Sequence, residues 1–397
     1  MGIGSRPISR RTDFINLKFN YIINTIKIKH ITSESFEWER PGIWNGMHFY
    51  GPGRLHKVTV YTDQGIHGIG WNGGTAAVRP NNFSKLYVDY YKSFLIGENP
   101  LETDKLTVKL GEKQNKILGS AGLHTHVLAA IIIACWDIKG KIEGKSIHSL
   151  LGGQQKRVRA YIAGGYYAKD KGLEELQEEL LYNVHSLNAT AVKIKIGDPS
   201  AGISMDMKRI EASRNAIGPD IDLLVDANCA FDLTTALEYA KEMEHYKVYW
   251  FEEPLAIHDF KAHKALNAST SLTIATGENY YTLADFETII ENKGASMLNV
   301  DATICTGYDV ALAVAKLAEE KGLKISPHGC QELQLPLVAA VSNGELLEYY
   351  PPEVDELRKE LFFPKLKLDS DGYVTVPETP GIGFELNMDL LNRYRVG

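Results

Sequence analysis

Ionisable residues recur at the ends of short apolar runs in the second half of this chain. The runs have the length and composition of buried parallel strands. Because the carboxyl ends of parallel strands meet at one edge of a sheet, we expect the side chains at these ends to share one site. They are Lys193 and Lys195, then Asp226, Glu252, Glu278, Asp301, His328 and Glu348.

Three of these residues are carboxylates at equal intervals along the chain, namely Asp226, Glu252 and Glu278. Brought together, they would repel each other unless a cation lay between them. Oxygen ligands that leave open positions suit Mg²⁺, which keeps waters and accepts substrate oxygens, whereas Ca²⁺ takes more ligands. The sequence therefore predicts a magnesium site, although any one of the three could instead be a solvated residue at the rim or pair with a lysine. Of the adjacent Glu252 and Glu253, only one can point inward from a strand.

Lys193 and Lys195 lie two residues apart on the second predicted strand, so both side chains project to the same face. Two ammonium groups near a metal lower each other's pKa, so one of them can act as a neutral base near pH 7 while the other pairs with a carboxylate. The alternative is a pair of surface lysines, since lysine is rarely buried unless it is paired.

Two further strand ends carry possible acid–base groups. Asp301 and His328 end adjacent strands, and a hydrogen bond between them would fix the histidine tautomer and raise its basicity. Without that aspartate, the histidine would be expected to be structural. Glu348 precedes Tyr349 and Tyr350, and it is predicted to be either a protonated hydrogen-bond donor to a developing oxyanion or a charged rim residue.

Eight apolar runs separated by amphipathic helical patterns must position these groups. Their spacing suits a strand, a crossover helix and two loops, and repeated parallel units of this kind close into a barrel. The predicted strands are 158–162, 192–196, 223–226, 248–252, 272–275, 297–301, 324–328 and 346–349.

An α+β region precedes the predicted barrel. Strand-like alternation at 24–31 and 56–71 is followed by helical patterning over 82–145, and the loop 36–52 holds Arg40, Trp44 and His48. This loop is too long for a plain turn and is predicted to be functional. The predicted division is an N-terminal extension at 1–21, an α+β domain at 22–150, the barrel at 151–371 and a segment at 372–397 that packs back on the first domain.

Composition excludes several classes of partner. The 397 residues carry a net charge of −7, which gives no net basic field for nucleic acid or an anionic membrane. The four cysteines form no CxxC pair, which argues against a disulfide scaffold and favours a cytoplasmic protein. The longest apolar run, 127–135, is too short for a membrane span, and the first twenty residues lack the features of a secretory signal.

The ordered set of motifs resembles the enolase superfamily and, within it, the mandelate racemase subgroup. The resemblance spans nearly the whole chain, except for the first twenty residues and for 304–307, where relatives commonly have a double glycine. It implies an α/β fold, a (β/α)7β modified TIM barrel with an N-terminal α+β capping domain completed by the C-terminal segment. The matching motifs are KIK at 193–195, VDAN ending at Asn228, FEEP at 251–254, GEN at 277–279, Asp301, SPHG at 326–329 and Glu348.

The resemblance also implies roles for these residues. Mg²⁺ would be held by the three carboxylates, Lys195 would be one base, and His328 with Asp301 would be the base or acid on the opposite face. Lys193 and Glu348 would brace the substrate carboxylate, while substrate would be bound by Arg40, Trp44, His48 and Asn228.

The activity implied is that of an acid-sugar dehydratase, which removes the proton beside a carboxylate and expels the β-hydroxyl to give a 2-keto-3-deoxy acid. An aldonate such as arabinonate or gluconate is the expected substrate, and a homo-oligomer is the expected assembly. The alternatives are a racemase or epimerase of a 2-hydroxy acid, a Schiff-base aldolase and a non-catalytic barrel. The three carboxylates argue against the aldolase.

Overall fold

The computed structural model describes residues 25–73, 83–351 and 354–396. The predicted N-terminal extension at 1–21 lies outside the described residues. Two main sheets organise the rest: a four-stranded antiparallel sheet near the N-terminus and a larger sheet of parallel strands that forms a barrel.

The antiparallel sheet contains β1 (Ile28–Trp38), β4 (Gly53–Thr62) and β5 (His67–Gly73). β1 runs well beyond the predicted end at residue 31, because it pairs with β4 along its whole length. The intervening loop is also more regular than expected. It forms a hairpin of β2 (Ile43–Trp44) and β3 (Phe49–Tyr50), which pairs with β7 (Tyr167–Ala168) of the barrel domain.

Two helices pack on this sheet, α1 (Phe83–Leu95) and α3 (Leu123–Glu143), and a third, α2 (Thr103–Ile117), packs on α3. α3 contacts β5 closely, since a Cβ atom at Gly68 or Gly70 would lie 2.0 Å from a carbonyl oxygen of α3. α3 is long and apolar enough to cross a membrane, but 89% of its apolar window is buried inside the protein. The helix α4 (Ile147–Leu150) follows.

Eight parallel strands form the barrel, and a helix follows each of the first seven. The predicted fold class, a (β/α)7β modified TIM barrel with an α+β cap, is confirmed. The strands are β6 (Arg157–Ala163), β8 (Ala191–Lys195), β9 (Asp222–Asp226), β10 (Val248–Glu252), β11 (Ile274–Thr276), β12 (Met297–Leu298), β13 (Lys324–Ile325) and β14 (Leu347–Tyr349). The helices are α5 (Leu173–His185), α6 (Gly202–Ile217), α7 (Leu233–Met243), α8 (Phe260–Ser269), α9 (Leu283–Glu291), α10 (Tyr308–Glu320) and α11 (Gln331–Ala340).

The barrel closes between its seventh and eighth strands. β14 pairs with β6 in parallel, and Glu345 donates its N–H to the Ile325 carbonyl at 2.8 Å on the other side. The ladder of the seventh strand ends at residue 325, earlier than the predicted 328. The His328 N–H still donates to the Val300 carbonyl at 3.2 Å, so the chain stays beside the sixth strand.

The C-terminal segment contacts both the barrel and the cap. It contains α12 (Arg358–Leu361), β15 (Phe362–Phe363), β16 (Tyr373–Thr375), β17 (Glu385–Leu386), α13 (Met388–Leu391) and β18 (Arg395–Val396). β16 pairs antiparallel with β6, whereas β18 pairs antiparallel with β1. Residues 373–375 therefore stay on the barrel, and the later residues reach the cap. The predicted domain boundaries stay a prediction.

Candidate active site

Three carboxylates converge at the carboxyl end of the barrel. Asp226 and Glu252 end the third and fourth barrel strands, and Glu278 lies just beyond the fifth. Each offers an oxygen atom, and these atoms all lie within 4.8 Å of one another. All three residues are buried, and the Glu278 Oε2 atom accepts no hydrogen bond from the described residues. The cluster offers the hard oxygen ligands that Mg²⁺ prefers.

The electrostatics of this cluster also fit a cation. Burial raises the pKa of Glu252 to about 8; Lys193 opposes this rise, while Asp226 and Glu278 add to it. Negative charge is thus crowded here beyond what the nearby ammonium group compensates. A divalent ion among the three oxygen donors would relieve the repulsion, so these residues fit the predicted metal.

The two lysines of β8 reach the same cluster from one face of the strand. Lys193 is fully buried, and its Nζ atom lies 2.8 Å from both Glu252 Oε1 and Glu348 Oε1, and 3.6 Å from Asp226 Oδ2. Lys195 forms a short ion pair with Asp226 and lines the cavity above the barrel. Neither residue is a surface lysine, because their exposed fractions are 1% and 4%.

The expected downward shift of the lysine pKa values is wrong for this arrangement. Burial lowers both values, and Lys193 also lowers the pKa of Lys195 as predicted. The carboxylates outweigh these effects: Glu252 raises the pKa of Lys193, Asp226 raises that of Lys195, and both end well above the ordinary value. The prediction gave a carboxylate partner to only one of the two lysines, whereas in the structure each of them has one.

His328 and Asp301 form the predicted pair. The His328 Nδ1 atom lies 3.0 Å from Asp301 Oδ2, so Nδ1 donates to the carboxylate and Nε2 faces the site. The other Asp301 oxygen accepts from the N–H and hydroxyl of Thr303 and from the Gln334 amide, all at 2.7 Å. These contacts hold the aspartate still, and the aspartate in turn orients the imidazole.

Lys195 and His328 lie on opposite sides of the carboxylate cluster. Lys195 ends the second barrel strand, the carboxylates belong to the third, fourth and fifth strands, and His328 follows the seventh. The His328 Nε2 atom lies 3.5 Å from Glu278 Oε2, whereas Lys195 contacts Asp226. Burial lowers the pKa of His328, but Glu278, Glu348 and Asp301 outweigh this and raise it to about 10. The imidazole is therefore a cation at neutral pH in this arrangement.

Glu348 is ionised, so the predicted protonated donor is wrong. Burial raises its pKa, but Lys193 and His328 outweigh that effect and lower it to about 2. Its Oε2 atom accepts a hydrogen bond from the Gly329 N–H at 2.8 Å. Glu348 is buried, but the nearby cations Lys193 and His328 decide its charge.

Both Glu252 and Glu253 are buried at the site, contrary to the expectation that only one would point inward. Glu253 has a φ of 39°, a left-handed conformation that ends the strand and breaks its alternation. Its carboxylate lines the cavity and accepts from the Asn279 amide at 2.9 and 3.0 Å. Glu252 belongs to the three-carboxylate cluster, and Glu253 forms part of the cavity wall.

A cavity of about 440 Å³ lies between the barrel and the cap. Lys195, His328 and Asn228 line its floor, and Arg40 and His48 of the cap loop line its wall. The Asn228 N–H donates to Asp226, and its side-chain oxygen is buried and accepts no hydrogen bond from the described residues. Two of the three predicted cap-loop contacts therefore face the cavity.

Trp44 does not line this cavity. Its indole N–H donates to Asp198 Oδ2 at 2.5 Å, and its ring stacks on Tyr167 with the centroids 6.2 Å apart. The predicted substrate contact is not supported, because the side chain fastens the cap loop to the barrel instead.

Sequence reasoning missed several polar residues of the site. Tyr50 and Tyr166 line the cavity beside Lys195, Asn279 binds Glu253, and Gln334 binds Asp301. Asn279 lies in the GEN motif and could have been selected from it. The two tyrosines come from different parts of the chain and share no spacing pattern with the strand-end residues.

Comparison with known proteins agrees with this architecture. Residues 39–152 match the mandelate racemase / muconate lactonizing enzyme N-terminal domain, and residues 175–390 match the enolase C-terminal domain-like family. Together the two matches cover most of the cap and the barrel.

Individual relatives span the same region. The chain is 30% identical over 295 residues to arabinonate dehydratase of Saccharolobus solfataricus, covering 73% of this chain and 76% of that protein. It is 30% identical to D-galactarolactone cycloisomerase of Agrobacterium fabrum, covering 85% and 90% of the two chains. A crystal structure of L-talarate dehydratase from Polaromonas sp. JS666, complexed with Mg and L-glucarate, superposes with a TM-score of 0.82 at 27% identity, covering 94% and 98%.

The carboxylate cluster, the paired lysines and the His328–Asp301 dyad occupy the strand ends of a capped barrel, and both family models match that barrel and its cap. This chain belongs to the mandelate racemase subgroup of the enolase superfamily.

Proposed function

We propose that this chain is a magnesium-dependent acid-sugar dehydratase. It removes the proton from the carbon beside the substrate carboxylate and expels the hydroxyl of the next carbon, which gives a 2-keto-3-deoxy acid. The observation that carries the proposal is the cluster of three buried carboxylates between Lys195 and His328. The similarity to arabinonate dehydratase supports the reaction and favours an aldonate such as arabinonate or gluconate as substrate.

Asp226, Glu252 and Glu278 would hold the ion, since their oxygen atoms face a common region and one Glu278 oxygen has no other donor among the described residues. When bound there, magnesium would share the charge of these carboxylates and stabilise the negative charge that develops on the substrate carboxylate as the α-proton leaves. The Polaromonas L-talarate dehydratase structure, which holds Mg, supports the choice of ion.

Lys195 is one candidate base. Its ammonium group forms an ion pair with Asp226, and this contact raises the pKa of Lys195. When Asp226 serves as a ligand, less of its charge holds the Lys195 proton, and the nearby Lys193 ammonium then favours the neutral amine. Lys195 lines the cavity, so the neutral amine would face the substrate.

His328 is the group on the other side. As an imidazolium it can give its Nε2 proton to the departing hydroxyl, which leaves as water. Asp301 keeps Nδ1 as a donor throughout, so Nε2 is the atom that exchanges the proton. Before the next cycle the neutral imidazole regains a proton from water, and the Lys195 ammonium group releases the one that it took.

Lys193 and Glu348 act as supporting groups beneath the reacting atoms. The Lys193 ammonium lies 2.8 Å from both Glu252 and Glu348 and so fixes the position of one proposed ligand. Their position supports a role in bracing the site around the substrate carboxylate. Arg40, His48 and Asn228 face the cavity and would bind the hydroxyl groups of the substrate.

A racemase or epimerase of a 2-hydroxy acid is the second candidate, because Lys195 and His328 approach the cluster from opposite ends. That placement suits removal of a proton from one face and its return to the other. The similarity to a cycloisomerase also shows that relatives differ in reaction. Incorporation of deuterium at the α-carbon without loss of water would favour this candidate.

A screen of mono- and diacid sugars with Mg²⁺ tests the proposal. The expected result is a semicarbazide-reactive 2-keto product from at least one acid sugar, abolished by EDTA and restored by Mg²⁺. Lys195→Ala and His328→Asn should each lower the rate by at least 10²-fold, while exposed Lys85→Ala serves as the control. Absence of turnover with every acid sugar would contradict the proposed function.

A further inference from the structure

The cap-loop hairpin is held against the barrel directly beside Lys195. The Trp44 indole binds Asp198, and β2 pairs with β7. At Gly46 a Cβ atom would lie only 2.7 Å from the Gly197 carbonyl oxygen, so the loop backbone packs against the residues that follow Lys195. The position of the hairpin relative to that lysine is therefore set by contact with the barrel.

Within the hairpin, Asn45 orients the hydroxyl of Tyr50. The Asn45 side-chain oxygen accepts from the N–H groups of Met47 and His48 at 2.9 and 2.7 Å and so holds the turn. Its amide nitrogen donates to the Tyr50 hydroxyl oxygen at 2.7 Å. This bond occupies a lone pair of the oxygen, and among the described residues no acceptor takes the hydroxyl proton of Tyr50. The Tyr50 hydroxyl group is therefore held in place, and its proton is available for a hydrogen bond to a bound molecule.

Tyr50 lies on the Lys195 side of the cavity. Its ring meets Tyr166 edge to face with the centroids 5.4 Å apart, and the Lys195 Nζ atom lies 5.4 Å from the centroid of the Tyr166 ring. Arg40 lies over the Tyr50 ring at 5.7 Å. Tyr50 is 7% exposed, and burial keeps its pKa well above the ordinary value, so the hydroxyl stays neutral and retains its proton.

We propose that Tyr50 binds substrate, donating its hydroxyl proton to a hydroxyl oxygen of the sugar acid on the Lys195 side of the cavity. Asn45 is a positioning residue that aims this donor. The inference rests on the proposed function and deepens it, because it makes a second hydroxyl of the sugar acid, distinct from the eliminated one, part of what the site selects. A buried donor without a partner is costly, so a substrate that lacks this hydroxyl binds less well.

A set of tyrosine and asparagine variants tests this assignment with the acid sugar that the wild type turns over best. Tyr50→Phe keeps the ring contacts and removes the donor, and it should lower kcat/KM about 10-fold. Tyr61→Phe removes a hydroxyl from the outer part of the cap sheet and serves as the matched control. Melting temperatures of the variants should stay close to that of the wild type.

Asn45→Asp provides a second, independent change. The carboxylate keeps an oxygen for the N–H groups of the turn, but its other oxygen accepts the Tyr50 proton and takes the donor away from substrate. Its effect on kcat/KM should resemble that of Tyr50→Phe, and the double variant should lose no more than either one. If Asn45→Asp does not fold, the comparison of Tyr50→Phe with its control Tyr61→Phe decides whether the inference holds.

Monodeoxy analogues that keep the eliminated hydroxyl distinguish substrate contact from a structural effect. With one of these analogues, wild type and Tyr50→Phe should show the same kcat/KM, because the accepting oxygen is gone. Equal rates of wild type and Tyr50→Phe on every substrate would overturn the inference, as would an equal loss with every analogue. A wild type that turns over no acid sugar overturns the proposed function and this inference with it, a failure visible without any variant.

Discussion

The ionisable groups of this site owe their charge states to neighbours that come from other strands. Lys193 shows this most directly, because its ammonium group is buried completely and lies against Glu252 and Glu348. Removing one partner of a buried ion pair leaves an uncompensated charge, which costs about 3–5 kcal/mol. The same ammonium group keeps Glu348 ionised, so charge compensation rather than aromatic burial sets the state of that residue.

A substitution at Asp301 tests how the histidine is oriented. Asp301→Asn keeps the size of the side chain but removes the charge that holds Nδ1–H toward it. We expect kcat to fall by about 10²- to 10⁴-fold with little change in Mg²⁺ affinity. Steady-state kinetics and isothermal titration with Mg²⁺ measure the two quantities. Exposed Asp220→Asn is the control, and an unchanged kcat in Asp301→Asn would show that His328 needs no such partner.

At this scale the sequence predicted which residues meet but not how each is charged. The strand-end position of Asp226, Glu252 and Glu278 follows from a local pattern, and the structure brings them together. The inward turn of Glu253 depends on a left-handed backbone that no periodicity reveals. Tyr50 lines the same cavity as Lys195 only because the cap folds over the barrel.

Among the elements, α3 and the cap sheet show how close backbone packing holds the cap together. The helix is buried from His124 to Ile138, and two glycines of β5 let its carbonyl oxygens approach the strand. The loop that covers the cavity connects β1 to β4 of the cap sheet. Damage to the packing between α3 and β5 should therefore lower stability without touching the carboxylates.

Gly70→Ala tests this packing. Its new Cβ atom would lie 2.0 Å from the Ala130 carbonyl oxygen, so either the strand or the helix must shift. We expect a loss of about 1–3 kcal/mol in the free energy of unfolding, measured by urea denaturation. Gly111→Ala is the matched control, because that helical position is open and alanine should stabilise it by about 0.5–1 kcal/mol. Similar stability changes in the two variants would contradict this description of the packing.

The eight barrel strands were predictable because each is a short apolar run and a helix follows each of the first seven. The cap loop was not, since the pairing of β2 and β3 with β7 joins distant parts of the chain. For the same reason Trp44 was assigned to substrate, whereas its partner Asp198 lies in a barrel loop. The early end of the seventh strand likewise depends on hydrogen bonds to its neighbours.

For the molecule as a whole, the cap and the barrel together enclose the site. In the C-terminal segment, β16 pairs with β6 of the barrel and β18 pairs with β1 of the cap. The segment therefore connects the barrel to the cap. The cavity walls include residues from the cap loop, the barrel loops and this segment. A homo-oligomer and a cytoplasmic location stay predictions.

Binding of Mg²⁺ should stabilise the folded chain, because the unfolded chain has no preformed set of three carboxylates. At a concentration 100 times the Kd, the gain is about 2.7 kcal/mol, visible as a rise in melting temperature. Glu278→Gln should remove this rise, whereas exposed Glu356→Gln should retain it. An equal Mg²⁺-dependent rise in both variants would place the ion elsewhere.

A crystal structure of the protein soaked in Mg²⁺ tests the central claim most directly. The predicted result is one ion bound by an oxygen of each of Asp226, Glu252 and Glu278 at about 2.0–2.1 Å, with its remaining positions held by water or substrate oxygens. Density for an ion that omits two or more of these carboxylates, or for no ion among them at millimolar Mg²⁺, would contradict the account.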